Sequence, residues 1–237
     1  MTDVTQAFHQ ALWLARSGDA AFYEIVGLSL RVSTASAALA CLIGIPFGAW
    51  LAVSNFRGRG LLISFVNAAL GVPSVVVGLV VYLLLSRSGP LGFMGLLFTP
   101  TAMIIAQTIL IAPMVAALSR QTLQDTWLEY RDLFLSWRLA RLTAIATLVW
   151  DCRFSLVTIW LTAFGRAIAE VGAVMTVGGN IAGSTRVMTT GIALETSKGD
   201  LPLALGLGIV LLVLVFCVML VAQALQQFAQ RRYGGTR

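Results

Sequence analysis

The stretch FGRAIAEVGAVMTVGGNIAGSTRVMTT (Phe164–Thr190) decides how this chain is read. It begins as an apolar segment, carries Arg166 and Glu170 four residues apart, and then passes into a run of Gly, Asn, Ser and Thr. If its first part crosses a bilayer, the number of spans and the side of every connection follow.

Composition sets the frame. The chain has 237 residues, of which 58% are hydrophobic and 11% charged, with a mean hydropathy of +0.89. An average soluble domain is about 25% charged. The sequence therefore reads as an all-α integral membrane protein, because a helix is the open-chain form that satisfies its own backbone in lipid.

A spanning helix needs about 20 apolar residues. Segments 25–53, 61–85, 100–118 and 201–225 meet that length plainly. A fifth, 156–177, qualifies only if Arg166 and Glu170 are tolerated inside it. The run 139–150 is too short and reads as a helix at the membrane edge.

Positive charge decides the fifth span, since Arg and Lys accumulate on the cytoplasmic side. With five spans, the first connection, the third connection and the tail share one face and hold ten Arg, against Arg16, Arg87, Arg186 and Lys198 on the other. With four spans, the basic third connection and the basic tail would be separated. Five transmembrane helices are thus expected, N-terminus out and C-terminus in. The expected divisions are an extracytoplasmic segment 1–24, a transmembrane region 25–225 and a cytoplasmic tail 226–237.

Gly44, Pro46, Gly48, Gly71, Pro73, Gly78 and Pro113 punctuate the spans. Such residues kink helices or let them approach closely. The third connection, about 120–155, mixes acids, Arg and aromatics at helical spacing. It reads as an amphipathic interfacial helix, as a helix presented to a cytoplasmic partner, or as both.

Several functions are disfavoured by the inventory. The one histidine, His9, lies in the polar N-terminus, which argues against histidine-based catalysis and metal sites. No GxxxxGK[ST] occurs, so ATP is not expected to bind through a P-loop. Glu170 is the one acid inside a span, which argues against an aspartyl dyad. The N-terminal sequence MTDVTQAFHQALWLARSGD lacks the charged-then-apolar order of a cleaved signal peptide. Orientation accounts for the basic residues better than nucleic acid does.

A charge at mid-bilayer costs about 2.5 to 3.5 kcal/mol on insertion scales, so Arg166 and Glu170 must face protein or water. At i, i+4 they share a helix face. The pair either locks its helix to the bundle, rearranges during gating, or brings Arg166 to an anion. Beyond it, Gly178, Gly179, Asn180, Gly183, Ser184, Thr185, Thr189 and Thr190 either present amides and hydroxyls to an anion or form an ordinary polar outer loop.

A cytoplasmic helical connection followed by FGRAIAEVGAVMTVGGNI resembles the membrane subunits of bacterial ABC importers for molybdate, sulfate and tungstate, over roughly 25–225. Gly71–Gln107 and Glu170–Asp200 resemble the tungstate permeases in particular. The resemblance implies a type I importer permease fold and a homodimer. It also implies cytoplasmic ATPase subunits that carry ATP and Mg, and an extracytoplasmic anion-binding protein. No cofactor is implied for this chain itself.

The family's coupling signature, Glu-Ala-Ala, three residues, Gly, corresponds here to Glu129, Tyr130, Arg131 and Leu135, followed by Ser136, Trp137 and Arg138. Three of its four positions differ. A downstream Glu-Ala-Arg-Pro-Gly run corresponds to Asp151, Cys152, Arg153, Phe154 and Ser155, again altered. The candidate pathway and gating residues, read from the charge pair and the polar run after it, are Arg166, Glu170, Gly172, Gly178, Gly179, Asn180, Thr185, Thr189 and Thr190.

Overall fold

The computed structural model describes residues 20–233, with side chains to residue 228. Most of the expected 1–24 segment, and the end of the 226–237 tail, lie outside the described residues. Nine α-helices and one short 3-10 turn make up the described chain, which contains no strand.

In chain order the helices are α1 (Ala20–Val53), α2 (Arg59–Ala69), α3 (Ser74–Leu85), α4 (Pro100–Ser136) and α5 (Arg141–Asp151). There follow α6 (Arg153–Ile168), α7 (Gly172–Gly178), α8 (Met188–Lys198) and α9 (Leu201–Tyr233). Three of them, α1, α4 and α9, are long and apolar enough to cross a membrane alone. The pairs α2 with α3 and α5 with α6 qualify as broken spans, giving three to five candidate spans.

The chain folds as two compact units. One contains residues 20–36, 73–108 and 164–218; the other contains residues 37–72, 109–163 and 219–233. The first unit has a core of Val32, Val81, Leu85, Met103, Val174 and Val177 with small residues between them. Here α3 meets α7 at a glycine: a Cβ on Gly78 would lie 2.8 Å from Ala173 Cα. The second unit packs Leu51, Val66 and Ala116 together. Its α1 and α4 segments approach through Gly44 and Gly48, a Gly-x-x-x-Gly pair, and a Cβ on Gly48 would lie 2.6 Å from the Ala116 carbonyl oxygen. Small residues at this spacing bring backbones into direct contact.

Four features depart from the sequence reading. Pro46 and Pro113 lie inside continuous helices, whereas the segment ending in Pro73 does part α2 from α3, with Pro73 as an extended N-cap. In place of a separate connection from residue 119, α4 runs unbroken for 37 residues from Pro100 to Ser136, about 55 Å at 1.5 Å per residue. That exceeds the roughly 30 Å hydrocarbon layer, so the first half of the third connection is the prolonged end of a span.

The expected helix 156–177 is broken: α6 ends at Ile168 and α7 begins at Gly172. Its composition reaches span length through α5 instead, across a 72° bend at Cys152. Lastly, the expected outer loop contains α8, which starts after an extended Val187 and closes on Gly199 in the left-handed conformation.

Candidate functional site

Breaking a helix inside an apolar unit leaves carbonyls and amides that need partners. The turn 169–171 shows where they go. Ala167 O accepts from Glu170 N at 3.2 Å and from Gln107 Nε2 on α4 at 2.9 Å. Gln107 Oε1 lies 2.8 Å from the Ser36 hydroxyl of α1, which is also 2.7 Å from Val32 O. Glu170 O accepts from the Thr189 hydroxyl of α8 at 2.8 Å. Ser36, Gln107, Glu170 and Thr189 are all buried, so this polar chain is anchored wholly within protein.

Arg166 and Glu170 therefore sit on either side of a helix end rather than along one helix face. Arg166 Nη2 is 3.7 Å from Glu170 Oε2, and the side chains are 50% and 3% exposed respectively. Burial thus falls on the acid. Its other oxygen accepts from Ala173 N at 3.3 Å, in the first turn of α7. A carboxylate at that position suits the positive end of a helix. Gly172 follows because a Cβ there would lie 2.7 Å from Val75 and 2.8 Å from the Ser74 hydroxyl.

The glycine-rich continuation is held by its own polar groups. Gly179 and Asn180 have φ of 70° and 52°, and a Cβ on Gly179 would press on the Phe98 ring at 2.8 Å. The Thr185 hydroxyl donates to Gly178 O at 2.5 Å and accepts from Ile181 N at 3.0 Å. Asn180 Nδ2 donates to Thr190 O at 3.2 Å, and Thr190 Oγ1 accepts from Val187 N at 3.1 Å. Thr185, Thr189 and Thr190 are buried and their hydroxyls serve the fold, whereas Gly183 and Ser184 are exposed.

The implied coupling residues lie in the other unit, at the end of α4. Glu129, Arg131, Leu135, Ser136, Trp137 and Arg138 are exposed; Tyr130 is half-buried. Phe134 is buried and packs against Trp127 and Tyr130, each with ring centroids 5.9 Å away. The Asp151 carboxylate, together with burial, holds the Tyr130 phenol above its ordinary pKa, so the neutral hydroxyl faces that acid.

Helix α4 stops in a Schellman-type closure: Leu139 N donates to Phe134 O and Arg138 N to Leu135 O, both at 3.1 Å. Arg138 takes the left-handed conformation, φ 51°, that such an end requires. Leu135, aligned with the signature glycine, remains inside the helix.

Sequence reasoning missed Gln107, Ser36 and Glu195. Gln107 is the one amide side chain in segment 100–118, a signal that could have found it. Glu195 is buried and pairs with Lys198 at 2.9 Å; no local sequence signal marks its place on α8.

Long apolar helices and a buried polar chain at a helix break define a multi-pass membrane protein. Its relatives say which kind. The tungstate uptake system permease protein TupB of Peptoclostridium acidaminophilum is 42% identical over 227 residues, covering 96% of this chain and all of that protein. TupB of Campylobacter jejuni is 37% identical, covering 94% of each, and the molybdenum transport permease ModB of Escherichia coli is 28% identical over 229 residues. No protein-family model matches the chain. The chain belongs to the permease subunits of ABC oxyanion importers.

Proposed function

We propose that this chain is the transmembrane subunit of an ATP-driven importer that carries tungstate into the cytoplasm by alternating access. The observation that carries this reading is the end-to-end relationship to the TupB proteins, 42% identical over 96% of the chain. Five spans, N-terminus out and C-terminus in, agree with the ten Arg assigned to one face. The divisions are an outer segment 1–24, a transmembrane region 25–225 and an inner tail 226–237, in a bacterial plasma membrane.

The working assembly is a homodimer with two cytoplasmic ATPases and an extracytoplasmic anion-binding protein. ATP and Mg reside on the ATPases, and this chain binds no cofactor. Glu129, Tyr130, Arg131, Leu135, Ser136, Trp137 and Arg138 form the ATPase contact, with the α4 extension as the lever. The stretch from Arg166 to Thr190 forms the gate: Arg166 and Glu170 flank its hinge with Gly172, while Gly178, Gly179, Asn180, Thr185, Thr189 and Thr190 shape its outer turn. A conduit needs weak contacts, in keeping with hydroxyls committed to the fold.

The ModB relationship makes molybdate the second reading, and sulfate stands further off through CysW relatives such as that of Synechocystis, 25% identical. Liposomes separate the proposal from a passive channel. Tungstate should accumulate only when ATPase, binding protein and ATP accompany the permease. Flux through the permease alone would show a channel instead.

A further inference from the structure

A cavity of about 480 Å³ in the second unit is lined by Arg59, Arg131 and Arg141, by Gln124, and by an apolar wall that includes Trp127 and Phe134. No Asp or Glu lines it, although Asp125, Glu129 and Asp132 lie on the same helix. Just beside it, Gln124 Oε1 accepts from two guanidinium groups, Arg59 Nη2 at 3.1 Å and Arg120 Nη1 at 2.7 Å. One neutral oxygen thus holds two like charges together. Arg120 Nε is buried without a partner, and among the described residues none of these four Arg forms an ion pair.

Guanidinium groups gathered without acids repel one another and leave donors unused; an anion with several acceptor oxygens relieves both. We propose that this cavity is a binding site for a tetrahedral oxyanion group of the phosphate class, engaged by Arg59, Arg131 and Arg141. Its volume exceeds that of a bare oxyanion, and its apolar wall suits an attached organic group. The group reaches the site either as the phosphodiester of an anionic phospholipid or as a free oxyanion. The site stands on its own geometry, independently of which anion the permease transports.

The test uses the full chain in phosphatidylcholine nanodiscs, read by thermal unfolding. One arm adds phosphatidylglycerol to the bilayer; the other titrates phosphate and tungstate, each against potassium chloride at matched ionic strength. A saturable rise in Tm in the first arm identifies a lipid source, and in the second a free anion; either supports the site. Arg141→Gln, at the exposed start of α5, and Arg59→Gln should each weaken binding by roughly ten- to hundredfold, the loss of charged hydrogen bonds. Arg57→Gln, outside the cavity, should bind as the parent does. The proposal is overturned if neither arm saturates, if chloride reproduces the shift, or if Arg141→Gln and Arg59→Gln bind unchanged. It is likewise overturned if the cavity is protected only on adding the ATPase subunits, which would assign it to a protein partner.

Discussion

Gln107 and Glu170 explain why a charged, broken segment persists in a chain this apolar. The Ala167 carbonyl, exposed by the end of α6, takes one hydrogen bond from the turn and one from Gln107. Gln107→Leu should therefore lower stability by about 1 to 3 kcal/mol, the typical range for a buried polar group left unpaired. A thermal unfolding midpoint equal to the parent's would contradict this. Because Glu170 is buried and Arg166 half-exposed, the two should not be equivalent on mutation. Glu170→Gln keeps an acceptor for Ala173 N, whereas Arg166→Ala strands a buried carboxylate without its nearest cation. Arg166→Ala should therefore reduce folded protein and uptake more than Glu170→Gln, and the reverse order would refute this.

The sequence disclosed the pair but not the break between its members. Spacing of four suggests one helix face, and nothing local announces that α6 stops at Ile168. The stop is a tertiary effect: Gln107 of α4 and Thr189 of α8 supply partners for the freed carbonyls from 60 and 19 residues away.

Among elements, α4 joins the largest number of roles. Its middle packs on α1 through Gly44 and Gly48, and its last turns carry Glu129, Tyr130, Arg131, Leu135 and Ser136, which are proposed to meet the ATPase. Gly48→Ala forces a methyl into the Ala116 carbonyl and should destabilise the fold by about 1 to 3 kcal/mol, as overpacking does. Gly60→Ala, where a Cβ meets nothing within 4 Å, is the matched control and should be neutral or slightly stabilising. Equal melting points for the two variants would remove the close-packing argument. Charge reversal at Glu129 or Arg131, both exposed on α4, should abolish stimulation of the ATPase by loaded binding protein while leaving the folded permease intact. Undiminished stimulation would place the contact elsewhere.

The apolar cores of α1, α4 and α9 were legible because hydropathy over 20 residues outweighs every local signal. Their ends were not. Helix α4 runs past Leu118 because its polar continuation keeps helical spacing and meets no breaker before the left-handed Arg138. Helix α8 was obscured by the glycines before it, although Thr190 stabilises its start through Val187.

For the whole molecule, family membership rests on relatives matched along nearly their full length, while the anion and the energy source are proposals that the liposome measurement tests. The first unit holds the buried, hydrogen-bonded break at 169–171, and the second holds the exposed end of α4.

The most direct measurement is tungstate uptake by the complete complex in liposomes, with ATP inside and loaded binding protein outside. It should be carried out beside a complex whose ATPase cannot hydrolyse ATP, and with molybdate or sulfate in excess as competitors. Tungstate should accumulate only with hydrolysis, and its uptake should survive excess sulfate. Uptake that continues without hydrolysis, or that is specific for sulfate, would contradict it.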